Sequence, residues 1–387
     1  MKKPTLAVAV ITFLIAVQAP FTGHRSSAAP NTGIEIKIPF DKLGHFVLLK
    51  AKINGSQKTY NFIVDTGAIT IIDKDLANEL GLKKRGPMAK ISTLEVAGYQ
   101  MENVFCYTGF DLTLFKRLGT PIHGIIGSNL LDRYSATFDF KSRLLVLSTH
   151  ASTRSLPKGA IVIPFRDHPM NKSPIVKLRI NGSSLEGMID TGQPFPLVLP
   201  IEDFEKYKDG GLSAVIRSKG VMVKWPMTKP DHNYMARLKS IKLGSLAAKD
   251  IACVFGELPP LLSMPLIGMD LLTQYRVTID YLRHEIVMVA YSDAHIRDNY
   301  YSTGLNINMS KGDSTFVEGV WEGSAADMAG IRAGDVIIAF NNRKATAADL
   351  PELLDLMRND DVKSIEFEVM NANGTKRVRV NKTMLLK

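Results

Sequence analysis

The chain repeats itself. Leu49-Lys50-Ala51-Lys52-Ile53-Asn54-Gly55 and Val176-Lys177-Leu178-Arg179-Ile180-Asn181-Gly182 share one pattern of alternating apolar and basic residues ending in Asn-Gly. This reads as a strand closed by a tight hairpin turn, for which Asn-Gly is a strong signal. The return strands, 60–64 and 185–189, each run into the same tripeptide, Asp65-Thr66-Gly67 and Asp190-Thr191-Gly192. Further on, His123-Gly124-Ile125-Ile126-Gly127-Ser128-Asn129-Leu130-Leu131 matches Met264-Pro265-Leu266-Ile267-Gly268-Met269-Asp270-Leu271-Leu272. Tyr134-Ser135-Ala136-Thr137-Phe138-Asp139-Phe140 matches Tyr275-Arg276-Val277-Thr278-Ile279-Asp280-Tyr281, and each copy closes on an apolar strand. Matches in the same order mean an internal duplication. The units expected are 34–149 and 160–291, joined by a polar linker at 150–159.

The doubled tripeptide points to hydrolysis by paired carboxylates. Two acids held close together cannot both ionise cheaply, so the pair shares a proton. One carboxylate then activates a water as general base, while its protonated partner polarises the carbonyl and later serves as acid. The proton belongs to the pair, so neither Asp65 nor Asp190 is fixed as acid or base. Gly67 and Gly192 let each loop turn tightly and bring backbone N–H groups to the carboxylates. Thr66 and Thr191 are placed to hydrogen-bond across the pseudo-dyad. Gly127 and Gly268 would pass bare backbone behind each loop. Chance would supply Asp-Thr-Gly about 0.1 times in a chain of this size.

Other chemistries lack their residues. The eight histidines are scattered, with no His-Glu-x-x-His, and no Gly-x-Ser-x-Gly or Walker loop occurs. Two cysteines cannot make a structural zinc site, and neither a metal nor a cofactor is expected. Cys106 and Cys253 occupy equivalent positions in the copies, three residues after Asn103 and Asp250. Equivalent positions lie apart, and a disulfide needs Cα atoms within about 7 Å, so two buried thiols are expected. His123, beside the first glycine motif, reads as a structural or edge residue.

Residues 34–291 resemble the retropepsin-like and pepsin-like aspartic peptidases, on the strength of the two Asp-Thr-Gly motifs and their apolar-apolar-Gly partners. The resemblance implies a mainly β, two-lobed acid-protease fold of duplicated, barrel-like lobes with the Asp pair at the floor of the cleft. With both lobes on one chain, it looks like a single-chain pseudodimer of compact lobes. Two positions depart from pattern. Ala68 follows the first motif where pepsins carry a hydroxyl, which implies an optimum nearer neutral pH. Gln193-Pro194 follows the second, which puts the geometry of Asp190 in question. Flap segments are expected at 85–93 and 218–234.

The remainder, 300–384, resembles a bacterial periplasmic PDZ domain through Gly323-Ser324-Ala325-Ala326-Asp327-Met328-Ala329-Gly330-Ile331-Arg332-Ala333-Gly334-Asp335-Val336-Ile337. The implied α+β domain binds peptide C-termini by strand addition, with Gly304, Leu305, Asn306 and Ile307 in the carboxylate loop. A helix is expected from Asp349, with Pro351 and Glu352 in its first turn. Strands are expected at 364–370 and 376–380.

At the N-terminus, Lys2 and Lys3 precede a short apolar run and then small residues. This reads as a signal peptide over 1–28, too short to span a bilayer, and implies a periplasmic or secreted protein without lasting membrane insertion. A formal net charge of +10 accompanies no basic–aromatic run, so nucleic acid is not an expected partner. The expectation is an exported aspartic endopeptidase acting on polypeptides. The competing reading is a non-catalytic peptide-binding scaffold on the same fold.

Overall fold

The structure, a computed structural model, describes residues 33–150, 156–310 and 314–387. The expected signal peptide lies outside the described residues. No helix among the described residues is long and apolar enough to cross a membrane.

The first lobe is built from β1 (Glu35–Pro39), β2 (Asp41–Leu43), β3 (Phe46–Ile53), β4 (Tyr60–Asp65), β5 (Ile71–Ile72), β6 (Lys84–Arg85), β7 (Met88–Val96), β8 (Tyr99–Tyr107), β9 (Gly124–Gly127), β10 (Ser135–Asp139) and β11 (Leu144–Ser148). The second uses β12 (Ile161–Asp167), β13 (Pro174–Ile180), β14 (Ser183–Ile189), β15 (Leu197–Pro200), β16 (Leu212–Gly220), β17 (Tyr234–Leu243), β18 (Leu246–Gly256), β19 (Leu266–Ile267), β20 (Tyr275–Asp280) and β21 (Glu285–Ala290). Their pairings are the same. In the first lobe β3–β4 is antiparallel, β4–β9 parallel, β9–β5 antiparallel, β5–β8 parallel and β8–β7 antiparallel; β7–β3 then closes the barrel. Strands β13, β14, β19, β15, β18 and β17 repeat this circuit in the second.

The duplication reaches the backbone. Asn54 and Asn181, Asn103 and Asp250, and Arg143 and His284 all adopt left-handed φ between 48° and 56° at matching sites. L-residues avoid this region unless a turn or bulge requires it. Three shared exceptions mark three shared bends.

The lobes join through a sheet ordered β1-β11-β10-β20-β21-β12, with Thr137 opposite Thr278 at its centre. Apolar residues alternate inward from it, and one continuous core runs through both lobes. Cys106 and Cys253 are buried and unpaired, at matching sites in β8 and β18.

The C-terminal domain comprises β22 (Tyr301–Ser302), β23 (Leu305–Met309), β24 (Thr315–Trp321), β25 (Val336–Phe340), β26 (Arg343–Lys344), β27 (Ser364–Asn371), β28 (Gly374–Asn381) and β29 (Thr383–Met384), with helices Ala325–Met328 and Leu350–Arg358. Its own core holds Ile307, Val317, Ile337, Phe340, Leu353 and Phe367. The helix at 350–358 starts where the sequence places it, but its cap differs from the expected box. Asp349 turns its carboxylate back to Thr346 and Arg343, and Glu352 pairs with Arg343. At the other end Lys382, almost wholly buried, donates its ammonium to the carbonyls of Leu356 (2.8 Å) and Asn359 (2.7 Å). It thus satisfies the Leu356 carbonyl, an orphan acceptor of the last turn, and joins the Val362 N–H on that of Asn359.

This domain is fastened to both lobes. Strand β16 leaves β17 after Arg217 and continues onto β24, pairing Ser218 with Trp321, Lys219 with Val320 and Gly220 with Gly319. Gly319 is obligatory there, since a Cβ would lie 2.5 Å from the Val221 carbonyl. Asn306 donates to that same carbonyl (2.9 Å), and Lys219 pairs with Asp327 (3.1 Å). Trp321, Leu385 and Leu386 pack with Ile175, Met188 and Leu266 of the second lobe. Burial of such a side chain contributes about 1.5–3 kcal/mol each. On the first lobe, Pro351 sits against Gly119, beside the 3-10 turn Leu112–Leu118.

Candidate functional site

Each tripeptide follows a strand backed by its downstream glycine motif. Asp65 ends β4 opposite Gly127, and the Asp190 N–H donates to the Ile267 carbonyl (2.9 Å). Neither backing glycine could carry a side chain. A Cβ on Gly127 would lie 2.3 Å from the carbonyl carbon of Ile69, and one on Gly268 would lie 2.4 Å from the Phe195 oxygen.

The two loops meet on the pseudo-dyad. The Thr191 hydroxyl accepts the Thr66 N–H (3.0 Å) and donates to the Val64 carbonyl (3.1 Å). The Thr66 hydroxyl accepts the Thr191 N–H (3.1 Å) and donates to the Ile189 carbonyl (2.8 Å). Both threonines are fully buried. The expected lock is therefore present, with four bonds crossing between the lobes.

This lock brings Asp65 and Asp190 together. Their carboxyl groups hydrogen-bond one another. Asp65 accepts the Gly67 N–H and Asp190 the Gly192 N–H, each at 2.8 Å. Each glycine also lies against the opposite acid. A Cβ on Gly67 would be 2.6 Å from the Asp190 carboxyl carbon, and one on Gly192 would be 2.3 Å from an Asp65 oxygen. Burial raises the Asp65 pKa, opposed by the Gly67 N–H and by the bond with Asp190. It raises that of Asp190 further, because the Asp65 charge adds to burial there. Such a pair keeps one proton well above the ordinary carboxylate range, which provides an acid and a base side by side.

Gln193-Pro194 leaves this symmetry intact. The Gln193 side chain folds onto its own turn, accepting the Phe195 N–H and donating to the Phe195 carbonyl. Its backbone carbonyl receives the Met269 N–H (2.8 Å), as the Ala68 carbonyl receives that of Ser128 (3.0 Å). A residue type unusual at that position thus reproduces the same turn.

Four supporting residues escaped the sequence reading. Ser128 donates to the Thr66 carbonyl (2.7 Å) and hydrogen-bonds the Tyr281 hydroxyl of the second lobe (2.7 Å). The repeat places Met269 and Phe140 at the equivalent sites, so only the first loop has this brace. Comparing the matched segments for polar-to-apolar differences would have found it. His45, in the turn between β2 and β3, holds the Gly192 carbonyl through Nε2 (3.0 Å), and Asn171, in the turn between β12 and β13, donates to the Gly67 carbonyl (2.9 Å). Their only sequence signal is a polar residue in the turn ahead of each repeated strand.

His123 makes local contacts within the first lobe. Its Nδ1 accepts the Asn61 N–H (3.1 Å) and its ring meets Tyr60 edge-on. The flap segments diverge. In the first lobe β6 and β7 form a short hairpin across Gly86 and Pro87. In the second, 218–220 are joined to β24, so the long strand β16 is anchored to the C-terminal domain and does not stand free. In the expected carboxylate loop, Gly304 has φ +87° and donates its N–H to the Ser302 hydroxyl (3.0 Å). Leu305 and Ile307 face the domain core, while the Asn306 amide is held by Val221 and Glu318. No cluster of three or more His, Cys, Asp or Glu suited to a metal occurs among the described residues.

Residues 49–130 match the aspartyl protease family, and residues 316–369 match the PDZ domain. Among solved structures, a retropepsin-like aspartic protease from Rickettsia conorii is similar at 22% identity and a TM-score of 0.24, covering 33% of this chain and all of that one. No curated protein matches the sequence. The chain is a mainly β protein that contains an aspartyl protease domain. It carries a PDZ domain as well.

Proposed function

We propose that the protein is an exported aspartic endopeptidase whose PDZ domain recruits polypeptides by their C-termini. The observation that carries this reading is the contact between Asp65 and Asp190, one from each lobe, with one glycine N–H on each carboxyl. A water between them would lose a proton to the ionised carboxylate as its oxygen attacks the scissile carbonyl carbon. The protonated partner would pass its proton to the carbonyl oxygen, giving a tetrahedral diol. Return of a proton to the amide nitrogen and cleavage of the C–N bond would release a carboxylic acid and an amine. Thr66, Thr191, Gly67, Gly192, Gly127 and Gly268 hold the two loops in register.

Ala68 gives the Asp65 carboxyl no hydroxyl donor, so the ionised form is stabilised less and activity should extend towards neutral pH. Export rests on residues 1–28, with their basic start and short apolar stretch. Recruitment rests on the junction of β16 with β24, which sets the PDZ sheet beside the second catalytic lobe.

The test is hydrolysis of an unfolded protein in the presence of an added amine nucleophile. Direct attack by water forms no acyl-enzyme, so every new C-terminus should be a free carboxylic acid. Transfer of an acyl group to the amine would overturn the mechanism. Peptide binding without cleavage at any pH would instead establish the scaffold reading.

A further inference from the structure

Each catalytic glycine carbonyl is held by the opposite lobe. The turn 168–173 closes on its own backbone, with His168 N–H on the Ser173 carbonyl (2.8 Å) and Lys172 N–H on the His168 carbonyl (3.0 Å). Within it the Asn171 side-chain oxygen accepts the Ser173 N–H (3.2 Å). The amide nitrogen of Asn171 is thereby left to point outward, to Gly67 of the first lobe. Lys172 holds a left-handed φ of +66°, an unfavoured conformation for a long side chain, and is tied to Asp167 (3.0 Å). In the first lobe the left-handed residue is Gly44 (φ +63°), one position earlier in the repeat register, and the His45 ring lies tilted against that of Phe46 with centroids 3.8 Å apart. A carbonyl can only accept, so His45 is protonated on Nε2, the nitrogen facing Gly192.

The crossing has a mechanical consequence. His45 belongs to the lobe of Asp65, and the glycine it holds, Gly192, abuts Asp65. Asn171 belongs to the lobe of Asp190, and its glycine, Gly67, abuts Asp190. Each turn therefore draws the opposite catalytic loop onto the carboxyl of its own lobe. Neither bond is needed to close the turn it comes from.

We propose that His45 and Asn171 are positioning residues that set the separation of Asp65 and Asp190 by clamping the backbone of the opposite lobe's catalytic glycine. The inference rests on the peptidase reading above. The His45 ring retains some contact with solvent, yet it lies deep enough for burial to lower its pKa to about 3, with Arg358 and Arg117 nearby acting in the same direction. At pH values well above 3 it is therefore neutral, with its Nε2–H available to the Gly192 carbonyl. The titratable groups around the second turn are Lys172, Asp167, Asp132, His168 within the turn and His284, which pairs with Asp167. The two carboxyls answer chiefly to burial and to each other. Loosening the clamp would move them apart and weaken the repulsion that raises the upper pKa of the pair.

The experiment compares full-length His45→Ala, Asn171→Ala, His45→Gln and Asp65→Asn with the wild type, measuring kcat, KM and the pH profile on a peptide, and thermal stability separately. A misplacement of about 1 Å can cost about 100-fold in rate. Both alanine variants should therefore lose about 10- to 100-fold in kcat with KM nearly unchanged. The alkaline limb of their kcat/KM profile should move to lower pH, and His45→Gln, which keeps an N–H donor, should recover most of the rate. Unchanged kcat and an unmoved limb would overturn the proposal. So would a loss that follows melting temperature alone, with no limb shift and no recovery by glutamine. If Asp65→Asn cleaves as the wild type does, the peptidase reading itself fails. If Asp65→Asn is inactive while the alanine variants behave as wild type, only the positioning role fails.

Discussion

Replacing Thr191 by valine tests how the lobes are held together. Valine keeps the shape of threonine and deletes only the hydroxyl, so packing changes little. That hydroxyl accepts the Thr66 N–H and donates to the Val64 carbonyl, in a site with no solvent to take over either bond. Leaving a buried donor or acceptor unpaired costs about 1–3 kcal/mol per group, so the two together cost about 2–6 kcal/mol. If the Val64 carbonyl retains a strand partner, only the Thr66 N–H is left unpaired and the cost falls to about 1–3 kcal/mol. The assay is urea unfolding, read as a fall in midpoint at constant slope, with hydrogen exchange at the Thr66 amide as a local probe. Thr191→Ser, which keeps the hydroxyl, should behave nearly as wild type. Thr315 provides the opposite control. It is equally buried, but its hydroxyl has no partner among the described residues, so Thr315→Val should be neutral or stabilising. An unmoved midpoint and an unprotected Thr66 amide in wild type would refute the reasoning, as would equal losses from Thr191→Val and Thr315→Val.

Three further outcomes are expected. Asp190→Asn should raise the melting temperature near neutral pH and lose that advantage below pH 3.8. The folded pair holds a proton above that pH, where the unfolded chain has released it, so wild-type stability falls as pH rises through the window; melting curves across pH check this. Lys382→Met leaves the Leu356 carbonyl in the last turn of the helix Leu350–Arg358 unpaired, while that of Asn359 keeps the Val362 N–H, and should cost about 1–3 kcal/mol, read as faster hydrogen exchange confined to the PDZ domain. Gly319→Val drives a side chain into the Val221 carbonyl and should release β16 from β24; limited proteolysis should then cut within 221–233, which the wild type resists.

Much of this was legible in the sequence because the duplication states it twice. The pattern Ile53-Asn54-Gly55 and Ile180-Asn181-Gly182 fixes a strand and a turn in each lobe, and both asparagines take the left-handed φ that such a turn needs. The bare backbones at Gly127 and Gly268 follow from residue type alone. The unpaired cysteines follow from pseudo-symmetry. What escaped depends on where side chains point after folding. In the repeat register Asn171 aligns with Gly44 and His45 with Lys172, so the two clamping residues are offset by one position and carry no shared letter. Gln193 looked like a disruption because its side chain closes a turn that Ala68 closes without help. The continuation of Ser218, Lys219 and Gly220 onto β24 joins segments about a hundred residues apart by backbone bonds, which no local propensity encodes. The cap of the PDZ helix failed for a related reason, since Arg343 and Thr346 outcompete the helix N-terminus for Asp349.

The central claim is that Asp65 and Asp190 form one catalytic unit on a single chain. The most direct measurement is the turnover of an unfolded polypeptide by Asp65→Asn and Asp190→Asn, each made alone in the full chain and shown to be folded. Residues that act as a unit fail together, so each substitution should abolish cleavage to the same extent, and the double variant should be no worse than either one. Cleavage retained by either single variant would contradict the claim.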